Sequence, residues 1–193
     1  GIAFKLSAVP MHFWCPDVFQ GAPIEVTTFL SVASKGAAVA LVVRIMQVFG
    51  VAGVDAGSSF MGLTVGMAIL GAATATWGNL VALHQTNIKR LLAYSSIAHA
   101  GYMIMGASLL GIAGGATGIQ SQDVASALLF YLIVYLFMNL GAFTVAAVIL
   151  LRTGSEDIRV YAGLSTRSPL LAALLSLFLL SLFGMPGLGE QRQ

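Results

Sequence analysis

Hydrophobic residues occur along this chain in long, continuous runs that short polar segments separate. Four runs have the roughly 20 residues that a helix needs to cross a bilayer, and they cover residues 23–49, 58–83, 87–111 and 123–151. The apolar positions do not alternate with a period of two, which disfavours the strands of a membrane barrel. The pattern therefore predicts an all-α protein, a polytopic bundle of membrane helices.

The helical pattern is interrupted near both ends of the chain. The first apolar run, residues 1–6, is too short to span a bilayer, and a proline-containing stretch follows it at residues 9–23. Because proline removes a backbone donor and breaks helices, we expect a broken helix or a re-entrant turn there. The last run begins at Ser168 and Pro169, which suit an N-cap and a first helical position, and it breaks at residues 184–187.

These runs predict about four complete transmembrane helices plus a broken helix at each end, within a single membrane domain over residues 1–193. The first residue is Gly1 and not an initiator methionine, and the second break lies close to the last residue. We therefore expect the chain to be a fragment that is truncated at both ends.

Composition places the chain in a lipid environment. Of its 193 residues 58% are hydrophobic and 8% are charged, whereas soluble domains carry about a quarter charged residues. Nine basic and seven acidic residues cannot cover the surface of a soluble monomer, and the apolar content excludes intrinsic disorder. The net charge of +2 is too small for nucleic-acid binding, so the lipid bilayer is the expected partner.

The sequence offers no set of residues for a metal or a cofactor. Cys15 is the one cysteine, and His12, His84 and His99 lie in separate segments. These residues cannot form a cysteine-based zinc site or hold an iron–sulfur cluster. Glycine-rich nucleotide motifs are also missing from the sequence. We predict no metal-binding and no cofactor-binding residues in this chain.

Basic residues predict the orientation of the spans. Lys89 and Arg90 lie at the very start of the third complete span, next to the loop that follows the second. The segment after the fourth span carries three arginines, Arg152, Arg159 and Arg167. The positive-inside rule places both segments on the cytoplasmic side or its organellar equivalent. The proline-containing stretch then lies on that same side, and the remaining two loops lie outside.

Lys35 is the most informative residue of the sequence. It lies 12 positions after Pro23 and 15 before Gly50, which places it near the bilayer midplane. A charged lysine at that depth costs at least ~2.5–3.5 kcal/mol. It either carries protons in a polar interior, since desolvation disfavours its charged form, or pairs with an acid of a neighbouring helix. Because no acid lies mid-span in this chain, we favour the proton-carrying role.

Lys5 and His99 are two further candidates. Lys5 precedes the proline-containing stretch and either lines a cavity beside a broken helix or extends to the interface. His99 shares a helix face with Ser95, Ser96 and Tyr102, so it either relays protons or makes an interhelical hydrogen bond. The residues alone leave both pairs of alternatives open. Asn139, in the fourth span, is interpreted as a packing residue.

Several local sequences resemble the antiporter-like membrane subunits of complex I, NADH–quinone oxidoreductase. The three longest are GIAFKLSAVPMHFWCPDVFQGAP at residues 1–23, TTFLSVASK at residues 27–35 and QTNIKRLLAYSSIAHAGY at residues 85–102. The resemblance continues in FMNLGAF at residues 137–143, ED at residues 156–157 and YAGL at residues 161–164. Together they cover nearly the whole chain. The variants are most similar to the subunit N branch, whose mitochondrial counterpart is subunit 2.

The resemblance implies a proton-translocating subunit in which Lys5, Lys35 and His99 form a proton relay at mid-membrane. The partner acid of the first lysine would lie on an earlier helix, and a further lysine would follow the second break. NADH, FMN, iron–sulfur clusters and quinone would bind to other subunits, so this chain would be part of a redox enzyme without holding its redox site. The implied partners are other complex I membrane subunits, the bilayer and protons, in the bacterial inner membrane or, alternatively, an organellar inner membrane.

Two rival functions remain. The first is a cation/proton antiporter or a membrane-bound hydrogenase subunit built on the same fold. The second is a structural subunit, or a nonfunctional fragment, whose polar groups only mediate packing.

Overall fold

The computed structural model describes residues 1–52, 57–112 and 120–182. Within these ranges the chain is helical and contains no β-strand, which confirms the all-α prediction. The α-helices are α1 Ile2–Lys5, α2 Trp14–Gly21, α3 Ile24–Phe29, α4 Lys35–Ala52, α5 Gly57–Ala82, α6 Ile88–Ser108, α7 Ser121–Thr153, α8 Leu164–Arg167 and α9 Pro169–Leu182. A π-helical turn, Leu30–Ser34, joins α3 to α4, and 3-10 turns occupy Leu109–Gly111 and Ile158–Tyr161.

The predicted broken helix near the start of the chain is present. Turns separate α1 from α2, and the backbone becomes extended at Ala22, which ends α2 (φ −82°, ψ 155°). Pro23 then precedes α3, where its missing amide costs no helical hydrogen bond. The last predicted helix begins at Pro169 as expected. The predicted break at residues 184–187 lies outside the described residues.

Three helices of the described chain are long and apolar enough to cross a membrane: Ile24–Val48, Met61–Ala82 and Ser121–Thr153. The remaining predicted span, α6, has 21 residues, about 30 Å of helix. It is less apolar than the other three, and α2, α4, α5 and α7 pack around it, so many of its side chains meet protein. The polytopic helical architecture is confirmed.

Small residues set the close approach of α5 and α6. A β-carbon added at Gly78 would lie 2.7 Å from the backbone nitrogen of Ala98, and one added at Gly71 would lie 2.8 Å from the carbonyl oxygen of Gly101. Both distances are shorter than van der Waals contact. Glycine at these positions lets the two backbones meet, as small residues commonly do between membrane helices.

Three segments meet at one end of the bundle. Asn87 and Asp157 form an isolated antiparallel bridge. The amide of Ile88 donates to the carbonyl of Glu156 over 2.9 Å, and Arg90 binds Asp17 of α2 at 2.9 Å. The end of α2, the start of α6 and the segment after α7 therefore share one side, as the charge pattern predicts. That this side is the cytoplasmic one stays a prediction.

Candidate functional site

The site is built around Lys35, the first residue of α4, directly after the π-helical turn. Its side chain is only 1% exposed, and its Nζ donates a hydrogen bond to the Oγ of Ser96 on α6. The described residues form two ion pairs, and neither includes Lys35. The chain therefore supplies a hydroxyl group to this lysine where a structural ion pair would need a carboxylate.

The π-helical turn before Lys35 is held from α7. The Tyr135 hydroxyl donates to the carbonyl oxygen of Ser31 at 3.1 Å, and the Asn139 side-chain nitrogen donates to the Ser31 Oγ. Both α7 side chains are buried. Single π-helical turns recur at functional sites because they interrupt the regular helical ladder. Asn139 joins α7 to the π-helical turn, which fits its interpretation as a packing residue. The residue that it binds, Ser31, lies in the turn directly before Lys35.

Ser96 links the lysine to the tyrosine. It is fully buried, and it hydrogen-bonds to the Tyr135 side chain as well as accepting from Lys35. A serine hydroxyl can accept one proton and donate another. Lys35, Ser96 and Tyr135 therefore form a continuous chain of hydrogen-bonding groups drawn from α4, α6 and α7.

His99 lies one helical turn after Ser96 and is 3% exposed. Its Nε2 lies 3.0 Å from the carbonyl oxygen of Leu182 on α9, and its Nδ1 lies 2.6 Å from the Tyr131 hydroxyl. A carbonyl oxygen can only accept, so Nε2 must carry a hydrogen. In the neutral ring Nδ1 is then the acceptor and Tyr131 the donor. Protonation of Nδ1 would reverse that second hydrogen bond, so the His99–Tyr131 contact can report on, or pass on, a proton.

The two halves of this network lie next to each other. Tyr131 and Tyr135 are four residues apart on α7, so their side chains lie on successive turns of one face. The ring of Tyr135 is centred 5.2 Å from that of His99. We name the set Lys35, Ser96, His99, Tyr131 and Tyr135 the buried relay cluster.

The predicted polar stripe of α6 contributes only in part. Ser96 and His99 join the buried relay cluster, whereas the Ser95 hydroxyl donates to the Leu92 carbonyl of its own helix at 2.8 Å. The Tyr102 ring contacts His99 edge-on, with centroids 5.8 Å apart, but its hydroxyl accepts from Asn79 on α5. Only half of the face pattern therefore leads into the site.

Lys5 is not brought to the buried relay cluster. It ends α1, its side chain is exposed, and no side-chain hydrogen bond or ion pair joins it to any described residue. Its role in proton relay stays a prediction. As for metals, no three His, Cys, Asp or Glu side chains of the described chain are grouped as a metal site would require.

The two tyrosines and Ser31 were not among the candidates from the sequence. A signal for the α7 residues was present, because Tyr131, Tyr135 and Asn139 recur every four residues in an otherwise apolar helix. Such spacing places all three on one face, and a face with three hydrogen-bonding groups indicates contact with a polar interior. The role of Ser31 depends on the π-helical turn, for which the sequence shows no comparable pattern.

Membrane-length helices, a broken helix and a buried lysine–histidine cluster define the class: a polytopic helical membrane protein with a titratable polar interior. Residues 1–190 match the family described as "NADH:quinone oxidoreductase/Mrp antiporter, TM". The chain belongs to that family, which confirms the resemblance found in its motifs.

Relatives that share nearly half of their aligned residues with this chain are named as subunits of quinone oxidoreductases. The chain is 49% identical over 186 residues to NADH-quinone oxidoreductase subunit N of Moorella thermoacetica, covering 96% of this chain and 36% of the relative. It is 47% identical over 189 residues to NAD(P)H-quinone oxidoreductase subunit 2 of Microcystis aeruginosa, covering 97% of this chain and 34% of the relative. The chain thus spans about a third of the length of the curated relatives it matches.

Two solved structures share the fold. An archaeal respiratory membrane complex, the membrane-bound sulfane sulfur reductase, contains a chain that matches with a TM-score of 0.81 and 26% identity, covering 96% of this chain and 35% of that one. Respiratory complex I from Thermus thermophilus with bound aureothin contains one that matches with a TM-score of 0.68 and 34% identity, covering 96% of this chain and 36% of that one.

Proposed function

We propose that this chain is part of a proton-translocating membrane subunit of an NADH–quinone oxidoreductase. The observation that carries the proposal is the buried Lys35, which has no carboxylate partner among the described residues and binds Ser96. A lysine kept in an uncompensated site at mid-membrane is costly, and such residues mark ion and proton pathways.

In this proposal Lys35 takes up and releases a proton at the centre of the subunit. Ser96 and Tyr135 pass that proton through hydroxyl groups, each of which accepts and donates. His99 receives or supplies a proton at Nδ1, where Tyr131 already binds. Lys5 would serve the same relay from the broken helix, together with parts of the full-length protein outside this chain.

We infer the surroundings of the subunit from the family to which the chain belongs. Redox reactions of NADH, FMN, iron–sulfur clusters and quinone would take place in other subunits, and the released free energy would change hydration and charge states at the buried relay cluster. The partners would be other membrane subunits of the complex, and the location the bacterial inner membrane, with the proline-containing segment on the cytoplasmic side. An organellar inner membrane is the alternative location.

Replacing Lys35 in the full-length protein, within the assembled complex, tests the proposal. Lys35→Ala should abolish redox-driven proton translocation by this subunit, and Lys35→Arg should do the same because arginine keeps its charge and cannot deprotonate. Arg152→Gln is the matched control, since Arg152 is an exposed cation at the end of α7. Normal assembly with normal translocation in both Lys35 variants would contradict the proposal and favour a packing role.

A second candidate is a cation/proton antiporter or a membrane hydrogenase subunit. The observation that favours it is the TM-score of 0.81 with a chain of the membrane-bound sulfane sulfur reductase, an archaeal respiratory membrane complex. Proton flux across vesicles that contain the full-length protein, measured without NADH or quinone, separates the two. Sustained cation-dependent flux under those conditions would favour the second candidate.

A further inference from the structure

A second buried lysine, Lys89, lies at the end of the bundle where the three segments meet. Lys89 is 5% exposed although it stands in the first turn of α6, among the basic residues that the positive-inside rule uses to orient the spans. Its Nζ is 2.7 Å from the Oε1 of Glu156, in the segment after α7. The positive-inside rule explains why a basic residue lies at this end of the bundle, but it does not explain why Lys89 is buried.

Each of the three ammonium hydrogens of Lys89 has an acceptor. Besides Glu156, the Nζ lies 3.3 Å from the carbonyl oxygen of Gln20 and 3.1 Å from that of Ala22. A lysine ammonium has three donors and no acceptor, so its hydrogen-bonding capacity is fully used. No other described side chain bonds to the backbone of the α2–α3 break in this way.

The two carbonyls belong to the point where the helix is broken. The last turn of an α-helix leaves its carbonyls without helical partners and carries partial negative charge, and Gln20 lies in the last turn of α2. Ala22 follows, in extended backbone just before Pro23. Lys89 supplies the hydrogen bonds that an unbroken helix would make internally at this place.

Glu156 is itself held in place. The Asn87 side chain donates to its Oε2 at 2.7 Å, while the Asn87 Oδ1 caps α6 by accepting from the backbone amide of Lys89 at 2.9 Å. Asn87 and Glu156 therefore fix the origin of the Lys89 side chain and its charge partner together. The ammonium group is aimed at the break and has little freedom to leave it.

The break is connected to the buried relay cluster along one helical path. Ala22 and Pro23 lead directly into α3, the π-helical turn and Lys35 at the start of α4. We propose that Lys89 is a positioning residue that anchors the α2–α3 break and thereby sets the place of Lys35 against Ser96. This inference rests on the proposed function for its purpose, whereas the anchoring itself is testable without it.

Cys15 provides a reporter for the anchor. It is fully buried on α2 and is the one cysteine of this chain. The experiment follows its alkylation by N-ethylmaleimide in membranes that contain the full-length protein, with any cysteines outside this chain replaced by serine. Because alkylation is measured without NADH or a proton gradient, its result is independent of whether the protein translocates protons.

Lys89→Met should raise the alkylation rate of Cys15 about tenfold or more, which corresponds to the loss of a charged hydrogen bond. Lys89→Arg should stay within about threefold of the wild type, since arginine keeps the charge and several donors. Arg152→Gln, at the same end of the bundle, should leave the rate unchanged. If Lys89→Met does not accumulate, Lys89→Gln takes its place, with an expected rise of about threefold or more.

The charge swap Lys89→Glu with Glu156→Lys separates anchoring from a simple ion pair. A carboxylate at position 89 cannot donate to carbonyls, so the swap should alkylate at least as fast as Lys89→Met. Wild-type alkylation in the swap, or a Lys89→Met rate equal to that of Arg152→Gln, would overturn the inference. Lys89→Arg also tests whether Lys89 sets the position of Lys35. Lys89→Met should lower proton translocation, and Lys89→Arg should retain it. Lost translocation in Lys89→Arg together with normal alkylation would show that Lys89 does not act on Lys35.

Discussion

Lys35 and Lys89 are buried to a similar extent but have opposite surroundings. Lys35, 1% exposed, lies in the middle of the helix bundle and contacts the Ser96 hydroxyl group. Lys89, 5% exposed, lies at the bundle end and contacts a carboxylate and two carbonyl oxygens. A compensated buried charge stabilises one arrangement of the backbone, whereas an uncompensated one is free to change its protonation. The difference assigns anchoring to Lys89 and proton transfer to Lys35.

The largest expected effect comes from removing the charge at Lys35 while filling its volume. Lys35→Met in the full-length protein should lower proton translocation about 100-fold or more, as the loss of an acid–base group commonly does. The thermal unfolding temperature should not fall, because an apolar side chain replaces a buried charge without a carboxylate partner. Translocation assays on vesicles and thermal unfolding in detergent measure the two properties. A large loss of stability with unchanged translocation would reverse the assignment of the two lysines.

The corresponding change at Lys89 should act in the opposite sense. Lys89→Met leaves the partly buried Glu156 carboxylate, 27% exposed, without its cationic partner, so the free energy of unfolding should fall by about 1–3 kcal/mol. Thermal unfolding of the same preparation measures this, with Arg152→Gln as the control for loss of a cation at that end. If Lys89→Met were as stable as Arg152→Gln, the two lysines would not differ in the way that their contacts indicate.

A substitution at Tyr131 tests whether His99 takes part in the same proton transfer as Lys35. Tyr131→Phe removes the hydroxyl that lies 2.6 Å from the His99 Nδ1 and leaves that buried nitrogen without its donor, at a cost of about 1–3 kcal/mol. Translocation should fall by about tenfold. Tyr102→Phe is the matched control, since its hydroxyl accepts from Asn79 and is not bonded to His99. Equal translocation in the two tyrosine variants would remove Tyr131 from the buried relay cluster.

Low pH should destabilise the fold by protonating Glu156, the charge partner of Lys89. Burial by itself would raise the pKa of Glu156, but hydrogen bonds from Lys89 and Asn87 and the charge of Lys89 together hold that pKa below its ordinary value. The folded-state pKa is then lower than the unfolded value of ~4.3. The stabilisation is therefore present above pH ~4.3 and is lost as the pH falls through the folded-state pKa.

Unfolding temperatures measured between pH 3 and pH 7 should show this loss, and Glu156→Gln should reduce the slope. Tyr161 also faces Glu156, but burial, followed by the charge of Glu156, raises the pKa of Tyr161 to about 12, well above this range. An acid slope that is identical with and without Glu156 would place the titrating group elsewhere.

The smallest effect is expected at the exposed counterpart of the Lys89 pair. Arg90 and Asp17 also join α6 to α2, at 2.9 Å, but the Asp17 side chain is 73% exposed. Asp17→Asn should change the free energy of unfolding by no more than about 1 kcal/mol, because exposed ion pairs contribute little. Denaturant unfolding of Asp17→Asn and Lys89→Met compares the two free energies of unfolding. If Asp17→Asn lost as much stability as Lys89→Met, burial would not be what distinguishes the two ion pairs.

Much of the architecture could be predicted from single segments of sequence. The spans, the break before Pro23 and the start of α9 at Pro169 depend on hydrophobicity and proline within about 20 neighbouring residues. Lys35 could be singled out for the same reason, since a charge in an apolar run is costly wherever the run packs. The resemblance to the antiporter-like family rests on equally local motifs, and the match over residues 1–190 confirms it.

Other features depend on residues that are far apart in the chain. Lys35 and Ser96 are separated by 61 positions, and Tyr135 and Ser31 by 104. The charge pattern locates Lys89 at the bundle end but does not show that it is buried, because its burial depends on Glu156 and on the carbonyls of Gln20 and Ala22, which are distant in sequence. Lys5 matches a family motif, but its side chain is exposed and forms no hydrogen bond or ion pair with any described residue.

Hydrophobic length, proline and the depth of Lys35 are properties of one segment at a time, so the amino-acid order determines them directly. The contacts that distinguish Lys35 from Lys89 are not of this kind. Ser96 reaches Lys35 only after α4 and α6 have packed together. Glu156 and the carbonyls of the α2–α3 break reach Lys89 only after α2, α6 and the segment after α7 have come together. Tertiary structure alone decided which buried charge is compensated, because compensation depends on groups that meet across helices.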